Sequence, residues 1–134
     1  MSITLTVGGT ALELHPDLFW SDESNWHPVE QSVQRGITGA LIVQAAERLD
    51  GKGRPITLAP IDEQSAWSTR AALDQLRNWA AVPALELTLT LRGVTYTVMF
   101  RHQDGAAIEA SPVVHFNTVD STDFYLVTIR LMVV

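Results

Sequence analysis

A chain of 134 residues and 14.8 kDa suits one domain, spanning 1–134, that buries roughly two-thirds of the surface its unfolded form exposes. A hydrophobic fraction of 46% sets disorder aside, and a net charge of −6 with one lysine (Lys52) and singly scattered arginines argues against a nucleic-acid or anionic-membrane surface. The absence of cysteine excludes disulfides, thiolate zinc sites and a cysteine nucleophile.

At the N-terminus, MSITLTVGG has no basic segment followed by a long apolar run, so no secretory leader is expected. Ile3, Leu5 and Val7 alternate with Thr4 and Thr6, and Gly8-Gly9 leads into Thr10–Leu14. Period-two alternation about a glycine pair predicts a hairpin, because glycine enters the positive-φ conformations of tight turns. His15–Asn25 is turn-rich and acidic, with Trp20 inside it. From Trp26 to Arg35, Val29, Gln31 and Val33 alternate with Glu30, Ser32 and Gln34, a weak strand whose two faces both tolerate polar residues. Gly36 interrupts it, and Ile37–Ala46 follows as a second extended run.

Leu49–Arg54 reads as a glycine-containing loop and Pro55–Ala59 as a short strand ending at Pro60. A helix is expected next, with Asp62 as N-cap and Glu63 in its first turn, where negative charge meets the positive end of the dipole. Thr69, Ala72, Leu73, Leu76, Trp79 and Ala80 fall on one side at 3.6-residue spacing, and Pro83 ends the element. Trp67 lies opposite that stripe, so it packs elsewhere or sits in a loose first turn. Leu85, Leu87, Leu89 and Leu91, the Arg92-Gly93 turn, and Val94, Tyr96, Val98 and Phe100 form the clearest hairpin. After a loop around Asp104-Gly105, Ile108–Phe116 is a strand whose Pro112 marks an edge or bulge, since proline cannot donate to a ladder. Asn117–Asp123 is a turn, and Phe124–Val134 is apolar on both faces, as expected of a strand covered on both sides. No run reaches the roughly 20 apolar residues that span a bilayer, so a soluble protein made in a cytoplasm is expected. The fold class expected is mainly β (α+β): an antiparallel β-sandwich or barrel with one flanking α-helix.

The chemistry-bearing residues form no motif. His15, His27, His102 and His115 share no ligand spacing, so no metal or cofactor is expected. His15-Pro16-Asp17 echoes the tripeptide of J-domain co-chaperones, but it follows a strand here and is read as chance. No G-x-S-x-G elbow occurs, and Gly51-x-Gly53 leads into a strand rather than a helix able to hold an anion. Asp17, Asp22 and Glu23 read as a solvated loop, lacking the regular spacing of a calcium site. No enzyme is expected. Trp79 belongs to the helix stripe; Trp20 and Trp26 either form a small satellite core under the acidic loop or mark a protein contact, and a sugar-stacking platform is the third reading. The pair Trp26–Arg35 and Ile37–Arg48, with its uncharged polar residues Gln31, Ser32, Gln34, Thr38 and Gln44, suits an ordinary hairpin or one completed by a neighbouring subunit. The subunit-interface candidates are Trp20, Trp26, Gln31, Gln34, Arg35 and Trp67.

The order of these segments carries a resemblance. A mid-chain hairpin precedes Gly53-Arg54-Pro55-Ile56-Thr57-Leu58 and a helix expected to carry Trp67. Leu87–Leu91, a glycine turn, Tyr96-x-Val98-x-Phe100-Arg101, Pro112-Val113 and Tyr125…Leu131 follow. From about Leu12 onward the chain resembles small tail proteins of long-tailed bacteriophages and prophages, close to the distal-tail and tail-tip group with the tail-tube fold. The resemblance implies a tail-tube-like β-sandwich whose copies form a ring, a hexamer in that family, although a trimer fits the residues equally well. It implies a structural virion protein joining the tail tube to the baseplate or tip, with long hairpins lining or stapling the ring and DNA passing through without specific binding. No catalytic residue is carried over, and a minimal ring core without a receptor-binding module is expected. Sparse charge along Ala84–Leu91 and Leu126–Val134 adds an expectation that these strands present edges to neighbours. The competing readings are a monomeric module that holds a glycan or peptide on Trp20 and Trp26, and a small enzyme whose site forms only in three dimensions.

Overall fold

The structure is a computed structural model that describes residues 3–48, 52–115 and 117–134; parts of the expected Leu49–Arg54 loop and the end of the Ile108–Phe116 strand fall outside these. Strands β1 (Ile3–Val7) and β2 (Thr10–Leu14) form the first hairpin, with Gly8 and Gly9 at φ 54° and 86°. After β3 (Phe19–Trp20) come β4 (Val29–Arg35), β5 (Leu41–Glu47), β6 (Pro55–Ala59) and β7 (Trp67–Thr69). Helix α1 (Arg70–Ala80) precedes β8 (Leu87–Leu91), β9 (Val94–Phe100), β10 (Ile108–Pro112) and β11 (Phe124–Val133). The protein is mainly β, antiparallel, with one helix, as expected from the sequence.

One sheet runs in the order β2-β1-β8-β9-β11-β6-β3, with β10 and β7 also pairing β11. Because directly opposed residues share a face, the registers Leu12–Leu5–Leu89–Tyr96 and Phe100–Leu131–Ile56 trace one apolar face across the whole sheet. Leu5, Ile56, Leu58, Leu87, Leu89, Val98, Val127, Ile129 and Leu131 are buried there. The sheet curls around this face. Tyr96 on β9 and Trp20 on β3 are three strand steps apart, about 14 Å on a flat sheet, yet their rings lie edge to face with centroids 6.0 Å apart. Leu73, Leu76 and Trp79 of α1 complete the core at helical spacing.

Several expectations need correction. The helix starts at Arg70 with Thr69 as N-cap, its hydroxyl accepting from Ala72 N at 3.4 Å. Arg70 N and Ala71 N donate to Asp123 O and Ser121 O, so the β11 approach loop satisfies further first-turn donors. Asp62 instead accepts from Gln64 N in an Asx turn, and Ala66, buried at φ 56°, is incompatible with a helix through 62–69. Trp67 therefore stands on β7, paired with Leu126 of β11, where tertiary pairing overrides the local helix signal.

The poorly charged strands are not edges. β8 lies between β1 and β9, while β11 has β9 and β10 along one side and β6 and β7 along the other. Nor is β11 buried on both faces: Val127, Ile129 and Leu131 are buried, whereas Thr128, Arg130 and Met132 between them are half-exposed. The sheet ends at β2 and β3, and β10 and β7 each pair only with β11; β2 carries Glu13, and β10 carries Glu109 and ends at Pro112, so these two are blunted by charge or proline.

Candidate functional site

β4 and β5 form a second sheet of their own, and every residue of both strands is exposed. The register Val29↔Glu47, Gln31↔Ala45, Val33↔Val43 and Arg35↔Leu41 assigns Val29, Val33, Leu41, Val43 and Ala45 to one face, together with Gln31, Arg35 and Glu47. The alternate register, Glu30↔Ala46, Ser32↔Gln44 and Gln34↔Ile42, makes the other face mostly polar. The first face is thus the more apolar one, although both faces carry polar residues, as expected from the sequence. That more apolar face is bare, with Val29, Val33, Leu41 and Val43 each about half exposed. Seven residue pairs at about 3.3 Å per residue carry the tip about 20 Å from the root.

At the root, Arg48 N donates to Pro28 O at 2.8 Å and the Arg48 guanidinium grips the Glu30 carboxylate, its Nε donating at 2.9 Å. The same guanidinium lies 5.7 Å from the centre of the Trp26 ring. Arg54 lies over both Trp20, at 4.5 Å, and Trp26, at 5.7 Å, and donates to Glu23 O at 3.1 Å. A stack Arg48–Trp26–Arg54–Trp20 thus runs from the arm into the core, where Trp20 is buried. The indole N–H groups of Trp20 and Trp26 are both buried without an acceptor among the described residues, so these two rings are held by packing and by cations. Neither ring is an open stacking platform.

Away from the arm, Trp67 is 38% exposed and lies against Phe124, itself 48% exposed, with centroids 5.8 Å apart at 43°. Its indole N–H donates to Glu63 O at 3.0 Å, fixing the ring. With Val113, Val114, Thr122 and Asp123 these two rings line a cavity of about 340 Å³. A second cavity, of about 420 Å³, is lined by Asp62, Glu63 and Glu109 with Pro60, Ser111, Leu126 and Thr128 among their neighbours.

No family model, curated protein or solved structure matches this chain. Any functional assignment therefore rests on its own residues.

The sequence-nominated residues fall into three places. Gln31, Gln34 and Arg35 share the arm, Trp20 and Trp26 are joined through Arg54 at its root, and Trp67 sits on the body beside Phe124. The acidic loop is not merely solvated. Asp22 accepts from Thr57 N and Thr57 Oγ1 at 3.0 and 2.9 Å, and Glu23 pairs with Arg92 at 2.5 Å, so both pin the loop to the body. His15 Nδ1 accepts from Asp17 N within a local turn. Among the described residues no three His, Asp or Glu side chains converge on a point that would hold a metal ion. Sequence reasoning missed Arg48 and Arg54 at the root, Ile37 at the tip, and Val113, Val114 and Phe124 around Trp67. For Arg54 a signal existed: a lone arginine closing a loop beside two otherwise unplaced tryptophans.

Proposed function

We propose that this protein is a structural subunit of a long-tailed phage tail that assembles with copies of itself into a ring, joining the tail tube to the baseplate or tip. The observation that carries the reading is the bare β4–β5 arm. An isolated two-stranded ribbon is marginally stable at best in water, so an apolar face of Val29, Val33, Leu41 and Val43 needs a partner surface. Among the described residues no part of its own chain covers that face, and the body's core is already closed by the curled sheet and α1. A heterologous contact between like subunits closes into a ring when the rotation closes, and an arm that reaches beyond its own body makes such a contact. A net charge of −6 disfavours adhesion of DNA moving through the lumen, in keeping with passage without specific binding. The rival reading, a monomeric module that stacks a glycan or peptide on Trp20 and Trp26, loses support because both rings are covered by Arg54.

Electron microscopy of the purified protein and of phage particles from its host tests the proposal. Rings with a central opening, and the protein in the virion at the tube's end, are the expected result. A chain that stays monomeric at high concentration and is missing from virions overturns it.

A further inference from the structure

We propose that the arm tip of one copy seats in the Trp67–Phe124 cavity of a second copy, with Ile37 entering as an apolar knob and Arg35 facing Asp120 and Asp123. This rests on the ring reading and adds which parts meet. Ile37 is the most exposed large hydrophobic side chain of the described residues, at 108% of its reference area, so no part of its own chain shelters it. The tip is nonetheless ordered by its own hydrogen bonds. Gly36 N donates to Ala40 O at 2.8 Å, Gly39 N to Gly36 O at 2.9 Å, and Arg35 Nη1 to Gly39 O at 3.2 Å, with Gly39 at φ 83°. A knob already held in one shape loses little entropy on docking.

The cavity matches it in size and chemistry. Its volume of about 340 Å³ is roughly twice that of a 150 Å³ pocket able to take a benzene-sized group, so it admits the isoleucine side chain together with the turn that carries it. Its walls are the two rings, Val113 and Val114. Charge agrees as well. Among the described residues Arg35 has no carboxylate within 4.0 Å, and Asp120 and Asp123 have no cation within that distance. The first stands beside the knob; Asp123 lines the cavity and Asp120 donates its backbone N–H to the Asp123 carboxylate at 2.9 Å. Knob and socket belong to different surfaces, so each copy can give its knob to one neighbour and its socket to another, the head-to-tail arrangement that propagates around a ring.

Sedimentation velocity and electron microscopy of two single variants test this. Ile37→Asp removes the knob at a side chain that touches nothing, and Val114→Asp puts a charge on the socket at a half-exposed position. Each is expected to raise the concentration needed for assembly at least about tenfold, with unchanged circular dichroism. An equimolar mixture has one intact knob and one intact socket, so it should stop at a one-to-one dimer. Arg35→Asp should weaken assembly and regain it when combined with Asp120→Arg and Asp123→Arg. Wild-type rings that form equally well from either variant overturn this contact while leaving the ring reading intact. A wild-type protein that never assembles overturns both.

Discussion

The body and the arm are made of the same element, an antiparallel pair of alternating strands, yet they stand in opposite environments. In β8, Leu87, Leu89 and Leu91 all point inward and are buried; in β4 and β5, Val33 and Val43 pair across the ribbon and both stay half exposed. The difference lies in what each apolar face meets. The body's face closes on itself and on Leu73, Leu76 and Trp79, whereas the arm's face has no second layer. A sheet of two strands cannot supply that layer from within, so the arm's stability depends on its root and on whatever it docks against.

The sharpest way to break this comparison is to truncate matching residues in the two regions. Leu58→Ala, at a fully buried position between Ile129 and Trp20, is expected to destabilise the protein by about 2–5 kcal/mol in denaturant unfolding. Arg54→Ala comes next. It removes a cation from two indole faces and a hydrogen bond to Glu23 O, an expected loss of about 1–3 kcal/mol. Tryptophan emission should respond as Trp20 and Trp26 change surroundings; an unaltered spectrum would mean that the stack does not hold the arm. Thr69→Ala deletes the cap of α1 and should cost about 1 kcal/mol, visible as a lowered thermal midpoint. Had Asp62 been the cap, Asp62→Ala would show that loss instead.

Much of the body is legible in the sequence because leucine–threonine alternation, the Gly8-Gly9 and Arg92-Gly93 turns and the Leu73–Leu76–Trp79 spacing each state a local preference that agrees with the global fold. The misreadings arise where local and tertiary terms compete. Asp62-Glu63 is a sound helix start by itself, but β11 offers Leu126 and Tyr125 to Trp67 and Ser68, and the backbone turns at Ala66 to meet them. The sparse charge of β8 and β11 suggested open edges only because their partners, β1 and β6 among them, lie far away in the chain. The arm is legible as a hairpin, either ordinary or completed by a neighbour, but the choice between the two depends on what lies opposite, and no sequence window contains that. Likewise the joining of Trp26 to Trp20 through Arg54 spans a loop and a strand pairing, beyond the reach of any spacing rule.

The smallest expected stability effect is the most telling. Val33→Ser replaces a half-exposed side chain on the arm's apolar face, opposite Val43, and should change unfolding of the isolated chain by no more than about 0.5 kcal/mol. If the arm's face is meant for a partner, the same substitution should weaken assembly several-fold, because the methyl groups it removes become buried only in the oligomer. Leu58→Ala, by contrast, lowers the stability of every copy whether or not copies meet. Equal losses for Val33→Ser and Leu58→Ala in dilute, monomeric protein would mean that the arm packs on its own body. A loss for Val33→Ser that appears only as concentration rises places its apolar face between subunits, since burial that needs a second molecule must follow mass action.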